Sequence, residues 1–219
     1  LVGGAVICAI GVDVLRHVDR RRDHLAVAAL PLILGAHQLD ESLVWWAKDG
    51  NVPHDVGTVA TWIYMLIALV LLPLFVPLAV LLMEPTARRR WAMAPFVAIG
   101  AGVGAVLRAA MIRGPISVTE HPYHLAYSVR ISYGWLVVAL YVAAVCGALL
   151  FSGFRHVVWF GVVNLVAVVV IATLTVDGFA SVWCAWAAAT SAVIALKMRW
   201  QSGVRRPRTA GSTEPAGAT

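Results

Sequence analysis

A long apolar stretch, residues 57–83, reads GTVATWIYMLIALVLLPLFVPLAVLLM. It contains no charged side chain, and as a straight helix it would be about 40 Å long. A helix needs about 20 mostly apolar residues to cross the roughly 30 Å hydrocarbon layer of a bilayer. The stretch therefore predicts a membrane-spanning helix. Pro73 and Pro77 are expected to kink it, because each removes a backbone hydrogen bond.

The composition of the whole chain agrees with this stretch. Its 219 residues are 61% hydrophobic and 13% charged, whereas soluble domains are about 45–50% apolar and about 25% charged. The three cysteines, Cys8, Cys146 and Cys184, lie in apolar runs at unmatched spacings and indicate neither a disulfide framework nor a metal motif. Soluble globular, disordered, collagen-like and disulfide-scaffold classes are excluded, and an integral membrane protein is predicted.

Six further apolar segments accompany residues 57–83. The seven predicted transmembrane helices are 1–15, 25–47, 57–83, 91–112, 133–152, 157–176 and 181–198. The segments lack the period-two alternation of barrel strands and are about twice as long as such strands. We therefore predict an all-α polytopic membrane helix bundle over residues 1–200, followed by a disordered basic cytoplasmic tail over residues 201–219.

The basic residues orient this bundle. Of the 17 Lys and Arg, thirteen fall on one side, in the loops after the first, third and fifth segments and in the tail. Because basic loops remain in the cytoplasm, the N-terminus is predicted outside the cell membrane and the C-terminus inside. The clusters Arg20–Arg22 and Arg88–Arg90 account for much of the net charge of +6. They indicate contact with anionic membrane lipids rather than with nucleic acid.

Segment 25–47 carries the densest group of ionisable residues within an apolar run, HQLDE at residues 37–41. An ionisable side chain in a membrane helix is costly and by default marks a functional site. Helical spacing spreads these side chains over about 160°, so part of the group must face protein or a wet cavity. Arg108 lies at a similar depth and is expected to pair with Glu41 or Asp40. The alternative for Glu41 is a purely structural ion pair or hydrogen bond.

Histidines near the predicted outer side raise the question of a metal. His37 and Glu41 are four residues apart on one helix, and His121 and His124 are three apart, so both pairs could offer ligands to one zinc-like ion. The alternative is that these histidines are hydrogen-bonding residues of loops and interfaces. The set is therefore a weak metal candidate, and the sequence specifies no cofactor.

Tryptophans at the same level also allow two interpretations. Trp45 and Trp183 could form an aromatic wall beside an acid, where a ligand cation or a carbocation would be stabilised. They equally fit the belt of aromatic residues at a membrane interface.

Several stretches carry a family resemblance: LPLILGAHQ at 30–38, ESLVWW at 41–46, HLAY at 124–127, WFG at 159–161 and SVWCAWAA at 181–188. With them the chain resembles an uncharacterised family of bacterial, largely actinobacterial, multi-pass membrane proteins. The resemblance brings no activity. The positions of interest that it implies are Gln38, Glu41, Trp45, His124, Tyr127, Trp183 and Cys184. Members of that family begin with a short Met-Cys-Phe-Ser-like segment, so we expect a few residues to precede Leu1.

Two groups of seven-helix membrane enzymes offer a comparison. Ceramidase-like and progestin-receptor-like hydrolases carry a His-x-x-x-His zinc pair in the last helix, and segment 181–198 has no histidine. Membrane terpene cyclases use an early Glu and a late Asp as acids, an arrangement that Glu41 and Asp177 could mimic by analogy alone.

The sequence thus predicts a membrane protein of unknown activity with an outer-facing polar pocket around His37 and Glu41. Its expected partners are membrane lipids and a hydrophobic small molecule, and the pocket is expected to bind a small ligand or lipid. The predicted ligand-binding residues are Gln38, Asp40, Glu41, Trp45, Arg108, His124, Tyr127 and Trp183. The alternative is a membrane-embedded enzyme, either a metal-dependent hydrolase or a terpene-cyclase-like protein. Its catalytic candidates are Glu41, His37 and Asp177, with Glu41 as the acid or base.

Overall fold

The computed structural model describes residues 1–17, 22–174 and 179–204. Helices predominate in these ranges. They are α1 Val2–His17, α2 Arg22–Ala28, α3 Leu30–Lys48, α4 His54–Met65, α5 Leu72–Met83, α6 Ala87–Arg113, α7 Gly134–Leu150, α8 Arg155–Leu174 and α9 Phe179–Val204. A π-helix, Leu66–Leu71, joins α4 to α5, and the strands β1 Ile116–Glu120 and β2 Leu125–Val129 form a hairpin between α6 and α7.

Three helical stretches in the described ranges are long and apolar enough to cross a membrane. They are His54–Met83, counted through the π-helix, Ala87–Arg113 and Arg155–Leu174. Gly134–Leu150 and Ala180–Val193 are apolar but shorter. These helices are consistent with membrane association. Seven spanning helices and the direction of the termini stay predictions.

The helices pack around α3 and α7. Helix α3 contacts α1, α4 and α9, and α7 contacts α5, α6 and α8. The largest apolar cluster lies between these groups and includes Tyr64, Met65, Val76, Leu149 and Phe160. The polar stretch at residues 37–41 is therefore on a helix that is covered on several sides.

The predicted segment 25–47 is divided at Ala29 into α2 and α3. In one continuous helix the nitrogen of Pro31 would have to bond to the carbonyl of Val27, and proline has no N–H. In the first turn of α3 the missing donor costs nothing, because the first four N–H groups of a helix have no partner within it. Proline therefore begins the helix that carries His37.

The ends of the bundle differ from the prediction by a few residues. Helix α9 continues to Val204, beyond the predicted domain end at residue 200. Residues 205–219, most of the predicted tail, lie outside the described residues.

The connection after α6 corrects the all-α prediction. Its strands are antiparallel and pair in a register that runs from Ile116 opposite Val129 to Glu120 opposite Leu125. Leu125 is fully buried and packs with Val44 and Ala60. The alternation in ISVTE and the aromatic residue in LAYSV are the local signals for strands. The hairpin lies against α3, α4 and α9, and it is a covering element as well as a connection.

Pro73 interrupts the α-helical hydrogen bonding of the long helix at residues 54–83. The π-helix lies just before this proline. Bonds in a π-helix run five residues back, and the N–H of Leu72 donates to the carbonyl of Ile67. The next donor in this pattern would be Pro73, so the Ala68 carbonyl lacks an N–H partner. The Tyr141 hydroxyl of α7 donates to that carbonyl at 2.6 Å. A side chain from a neighbouring helix thus replaces the missing backbone donor.

Glycines of α6 pack against the same region. A Cβ atom at Gly100 would overlap the carbonyl oxygen of Pro73, and one at Gly104 would lie 3.0 Å from the carbonyl oxygen of Val70. Gly102 faces open space, with no atom within 4 Å of the position of a Cβ. The close helix approach that the glycine run predicts therefore depends on Gly100 and Gly104.

We expect Gly100→Val to lower the free energy of unfolding by about 1–3 kcal/mol or to prevent folding, because the backbone of α5 must move. Gly102→Val is the matched control and should change it by less than about 1 kcal/mol. Thermal unfolding in a mild detergent checks both. Equal losses in the two variants would contradict the close approach at Gly100.

A buried glutamate ties the connection between α5 and α6 to the connection between α7 and α8. Glu84 is fully buried, and its Oε1 accepts hydrogen bonds from the Gly153 N–H at 2.6 Å and the Ser152 hydroxyl at 3.0 Å. Arg89 lies 3.9 Å from its Oε2. Arg90 Nε donates to the Glu84 backbone carbonyl at 2.8 Å. The charge of Glu84 therefore has both hydrogen-bond donors and a cation beside it.

Candidate functional site

Three rings from three elements stack in the interior. The His37 ring of α3 lies on the Tyr64 ring of α4 with centroids 4.0 Å apart, and Tyr64 lies on Tyr127 of β2 at 4.2 Å. The angles between the ring planes are 21° and 14°. His37 is 0% exposed and Tyr64 1% exposed. The stack fixes the hairpin to the helices, and its inner end is an imidazole.

Two carboxyl groups lie beside this stack. Glu41 follows His37 by one helical turn and is 6% exposed. Gln38 Nε2 donates to Glu41 Oε2 at 3.3 Å, and the Ser181 hydroxyl of α9 faces the same carboxyl group. Asp40 is half-buried next to Glu41. The hydrogen-bond donors that face Glu41, Gln38 and Ser181, are uncharged.

Several buried polar atoms of this cluster have no hydrogen-bond partner among the described residues. They are Nδ1 and Nε2 of His37, Oε1 of Glu41, Oδ2 of Asp40 and the hydroxyl of Tyr127. The Tyr64 hydroxyl faces the Cys184 thiol but has no nitrogen or oxygen partner. An unsatisfied buried polar group costs about 1–3 kcal/mol, so proteins keep few of them without a reason. Their concentration around His37 and Glu41 marks the candidate site.

A cleft of about 320 Å³ adjoins the cluster on the other side of Tyr127. Apolar side chains make up most of its wall, among them Leu69, Leu107, Val137, Val138 and Val142. Its polar and aromatic lining residues are Tyr127, Ser128, Tyr141, Trp183 and Cys184. Tyr127 thus belongs to both features, since it lines the cleft and stacks on Tyr64.

The environment of Tyr127 determines its protonation state. Burial, reinforced by the nearby charges of Glu41 and Asp40, raises the pKa of Tyr127 above its ordinary value. The phenol therefore keeps its proton at physiological pH. Its hydroxyl is a hydrogen-bond donor at the boundary between the cleft and the buried cluster.

The structure brings most of the predicted binding residues together. Gln38, Asp40 and Glu41 lie in the cluster, while Tyr127 and Trp183 line the cleft. Trp45 is half-buried and packs in the apolar group that also contains Leu125 and Tyr127. Whether these residues bind a ligand stays a prediction.

Arg108 does not join the cluster. Its side chain is exposed, and no ion pair links it to Glu41 or Asp40 in the described part of the chain. The reason is the packing of its helix, because α6 lies mainly against α5, α7 and the π-helix. Arg108 lies at a similar depth to Glu41 and Asp40 along the chain of helices, but this similarity does not bring the side chains into an ion pair.

The weak metal candidates are dispersed. His121 and His124 stack on each other at 4.8 Å across the hairpin turn, where the His121 N–H donates to the His124 carbonyl. Residues 1–17, 22–174 and 179–204 contain no group of three His, Cys, Asp or Glu side chains that could hold a metal ion. In the same ranges no hydrogen bond joins His37 to Glu41 as an acid–base pair. Asp177, the third catalytic candidate, lies outside the described residues.

Tyr64 is the residue of the site that the sequence did not reveal. It lies in the middle of the apolar stretch at residues 57–83, where an aromatic residue is typical of a core. Its role depends on contacts with His37 and Tyr127, which belong to distant parts of the chain. The local signal is weak, because Thr58 and Thr61 of the same stretch also carry hydroxyl groups.

The fold and site define a helical protein with membrane-length helices, in which a buried polar cluster adjoins an apolar cleft. The model of a family of unknown function, DUF6629, matches residues 1–211, and the chain belongs to this family. No curated protein and no solved structure matches the chain. The family match confirms the expectation of an uncharacterised family.

Replacing His37 tests whether the two buried ring nitrogens of this residue lack hydrogen-bond partners. His37→Phe keeps a ring for the stack and removes two buried nitrogens that lack partners, so the ligand-free protein should gain about 1–3 kcal/mol of unfolding free energy. Thermal unfolding in mild detergent measures the change, and His54→Phe on the exposed start of α4 is the control. A loss of stability in His37→Phe alone would show that the imidazole nitrogens are satisfied.

Proposed function

We propose that this chain is a multi-pass protein of a bacterial cell membrane and that it binds a small amphipathic molecule or lipid. The polar part of the ligand meets Tyr127 and the polar cluster behind it, and the apolar part occupies the cleft. The observation that carries the proposal is the set of unpartnered buried polar atoms around His37 and Glu41, directly beside an apolar cleft. A ligand group at Tyr127 would supply partners that the protein itself does not.

The chemistry of the cleft wall supports a ligand with an apolar chain. Among the described residues, no charged side chain lines the cleft. Burial of apolar surface stabilises a complex by roughly 25 cal/mol per Å². Ligand pockets combine such apolar walls with a few polar groups that fix orientation. Here Tyr127, Trp183 and Cys184 provide the polar end.

The proposed topology has seven spanning helices, the N-terminus outside and the C-terminus in the cytoplasm. It is supported by the distribution of Lys and Arg in the sequence and by the resemblance to actinobacterial multi-pass membrane proteins. Arg88–Arg90 lie at the start of α6, and the β-hairpin follows its end. If α6 spans the membrane, the hairpin and the site lie toward the outer face.

Cysteine labelling tests this topology. In a variant that lacks Cys8, Cys146 and Cys184, we expect Asn51→Cys to react with an impermeant maleimide in intact cells. We expect Ser212→Cys to react only after the membrane is opened, because five predicted crossings, an odd number, separate Ser212 from Asn51. Reaction of both positions in intact cells would contradict seven crossings.

Retention of a bound molecule tests the binding function. We expect the protein purified in mild detergent to carry one amphipathic molecule, detected by native mass spectrometry and identified after extraction. Val138→Trp fills the cleft and should lower the affinity for the bound molecule at least about tenfold, which corresponds to about 1.4 kcal/mol of binding free energy. The occupancy should fall accordingly. Val169→Trp is the matched control, since Val169 is similarly exposed on α8 but does not line the cleft.

Two results would contradict binding in the cleft. One is a protein that carries no molecule and takes up none from added lipid extract. The other is equal occupancy in the wild type and Val138→Trp, which would place any bound molecule elsewhere on the apolar surface.

A further inference from the structure

We infer that the ligand of this cleft is a lipophilic cation, with an amine or quaternary ammonium group attached to an apolar chain. The inference rests on the proposed binding function and specifies the chemical class of its ligand. It is based on the aromatic residues at one end of the cleft and on the carboxyl groups behind them.

The aromatic residues provide ring faces, to which a cation binds. Tyr127, Tyr141 and Trp183 all line the cleft, and the rings of Tyr141 and Trp183 meet edge to face with centroids 5.5 Å apart. The face of an aromatic ring carries negative charge density and attracts an ammonium group. The Tyr141 hydroxyl is already bonded to the Ala68 carbonyl, so this residue presents its ring rather than a donor.

The carboxyl groups of Glu41 and Asp40 lie behind the same aromatic end of the cleft. Glu41 lies one helical turn from His37, whose ring stacks on Tyr64 and through it on Tyr127, and no ion pair to either acid is found in the described ranges. In surroundings of low dielectric constant, an acidic group in its ionised form makes the potential of a nearby cleft negative, and a cation in the cleft favours that form. Binding of a cation there would supply the charge that Arg108, exposed on α6, does not.

A second buried glutamate, Glu84, has different surroundings from Glu41. Glu84 has Arg89 and two hydrogen-bond donors beside it. Each glutamate has one oxygen without a hydrogen-bond partner, but Oε2 of Glu84 lies 3.9 Å from Arg89, whereas the donors that face Glu41, Gln38 and Ser181, are uncharged. The glutamate that has no ion pair among the described residues is the one beside the cleft.

One basic residue lies near the opening. Arg130 falls between Val129 and Ile131, which line the cleft, but its own side chain is exposed. An anionic head group at the mouth would use Arg130, whereas a cationic group would lie deeper, among Tyr127, Tyr141 and Trp183. These two arrangements predict opposite charge preferences.

Three probes with the same twelve-carbon chain separate the possibilities: dodecyltrimethylammonium, dodecanol and dodecyl sulfate. Binding to the full chain is measured by titration calorimetry in a non-ionic detergent. We expect the ammonium probe to bind at least about tenfold more tightly than the alcohol, and the sulfate to bind more weakly than either.

Two variants locate the source of the preference. Glu41→Gln should reduce the difference between the affinities for the ammonium and the alcohol to less than about threefold. Asp40→Asn should reduce it partly and serves as the second variant if Glu41→Gln is unstable. Asp55→Asn, at an exposed acid of α4, is the control and should keep the full preference.

The outcomes separate the two proposals. Equal affinities for the ammonium and the alcohol, both lost in Val138→Trp, would overturn the cation inference and leave binding in the cleft intact. Tightest binding of the sulfate would also overturn it and would point to Arg130. If Val138→Trp changes the affinity for none of the probes, the proposed binding function itself is wrong.

Discussion

The absence of one backbone donor, at Pro73, governs the arrangement of the central helices. Backbone groups in apolar surroundings must find partners within the protein, because neither lipid nor side-chain hydrocarbon can provide them. The π-helix and the hydrogen bond from Tyr141 to Ala68 meet this requirement. The hydrogen bond joins α7 to the π-helix. Gly100 brings α6 against Pro73, so three neighbouring elements are positioned by one imino acid.

That arrangement also produces the cleft. Tyr141 is held by the Ala68 carbonyl, and both residues line the cleft together with Leu69 and Leu107. On the same long helix, Tyr64 lies one turn before Ala68 and stacks on His37. The polar cluster and the apolar cleft therefore meet along neighbouring turns of this helix. The hairpin completes the boundary with Tyr127.

Two buried glutamates show how a structural charge differs from a functional candidate. Glu84 ties two connections together and has Ser152, Gly153 and Arg89 around its carboxyl group. Glu41 is nearly as buried, and each residue has one carboxyl oxygen without a hydrogen-bond partner, Oε2 in Glu84 and Oε1 in Glu41. Burial alone does not distinguish the two residues. The difference is that Arg89 lies beside Glu84, whereas no ion pair to Glu41 is found among the described residues, and that difference supports a binding role for the site around Glu41.

The sequence by itself determined the helical character, the membrane-length apolar stretches, and the group at residues 37–41 as the main candidate site. These properties depend on composition and on the neighbours of each residue along one helix, which the chain order contains. Only the tertiary structure decided that Tyr64 stacks between His37 and Tyr127, that residues 116–129 form a hairpin, and that the side chain of Arg108 is exposed. Helical periodicity defines the faces of a helix. It does not define which helix covers each face, because that choice depends on packing between segments that are far apart in the chain.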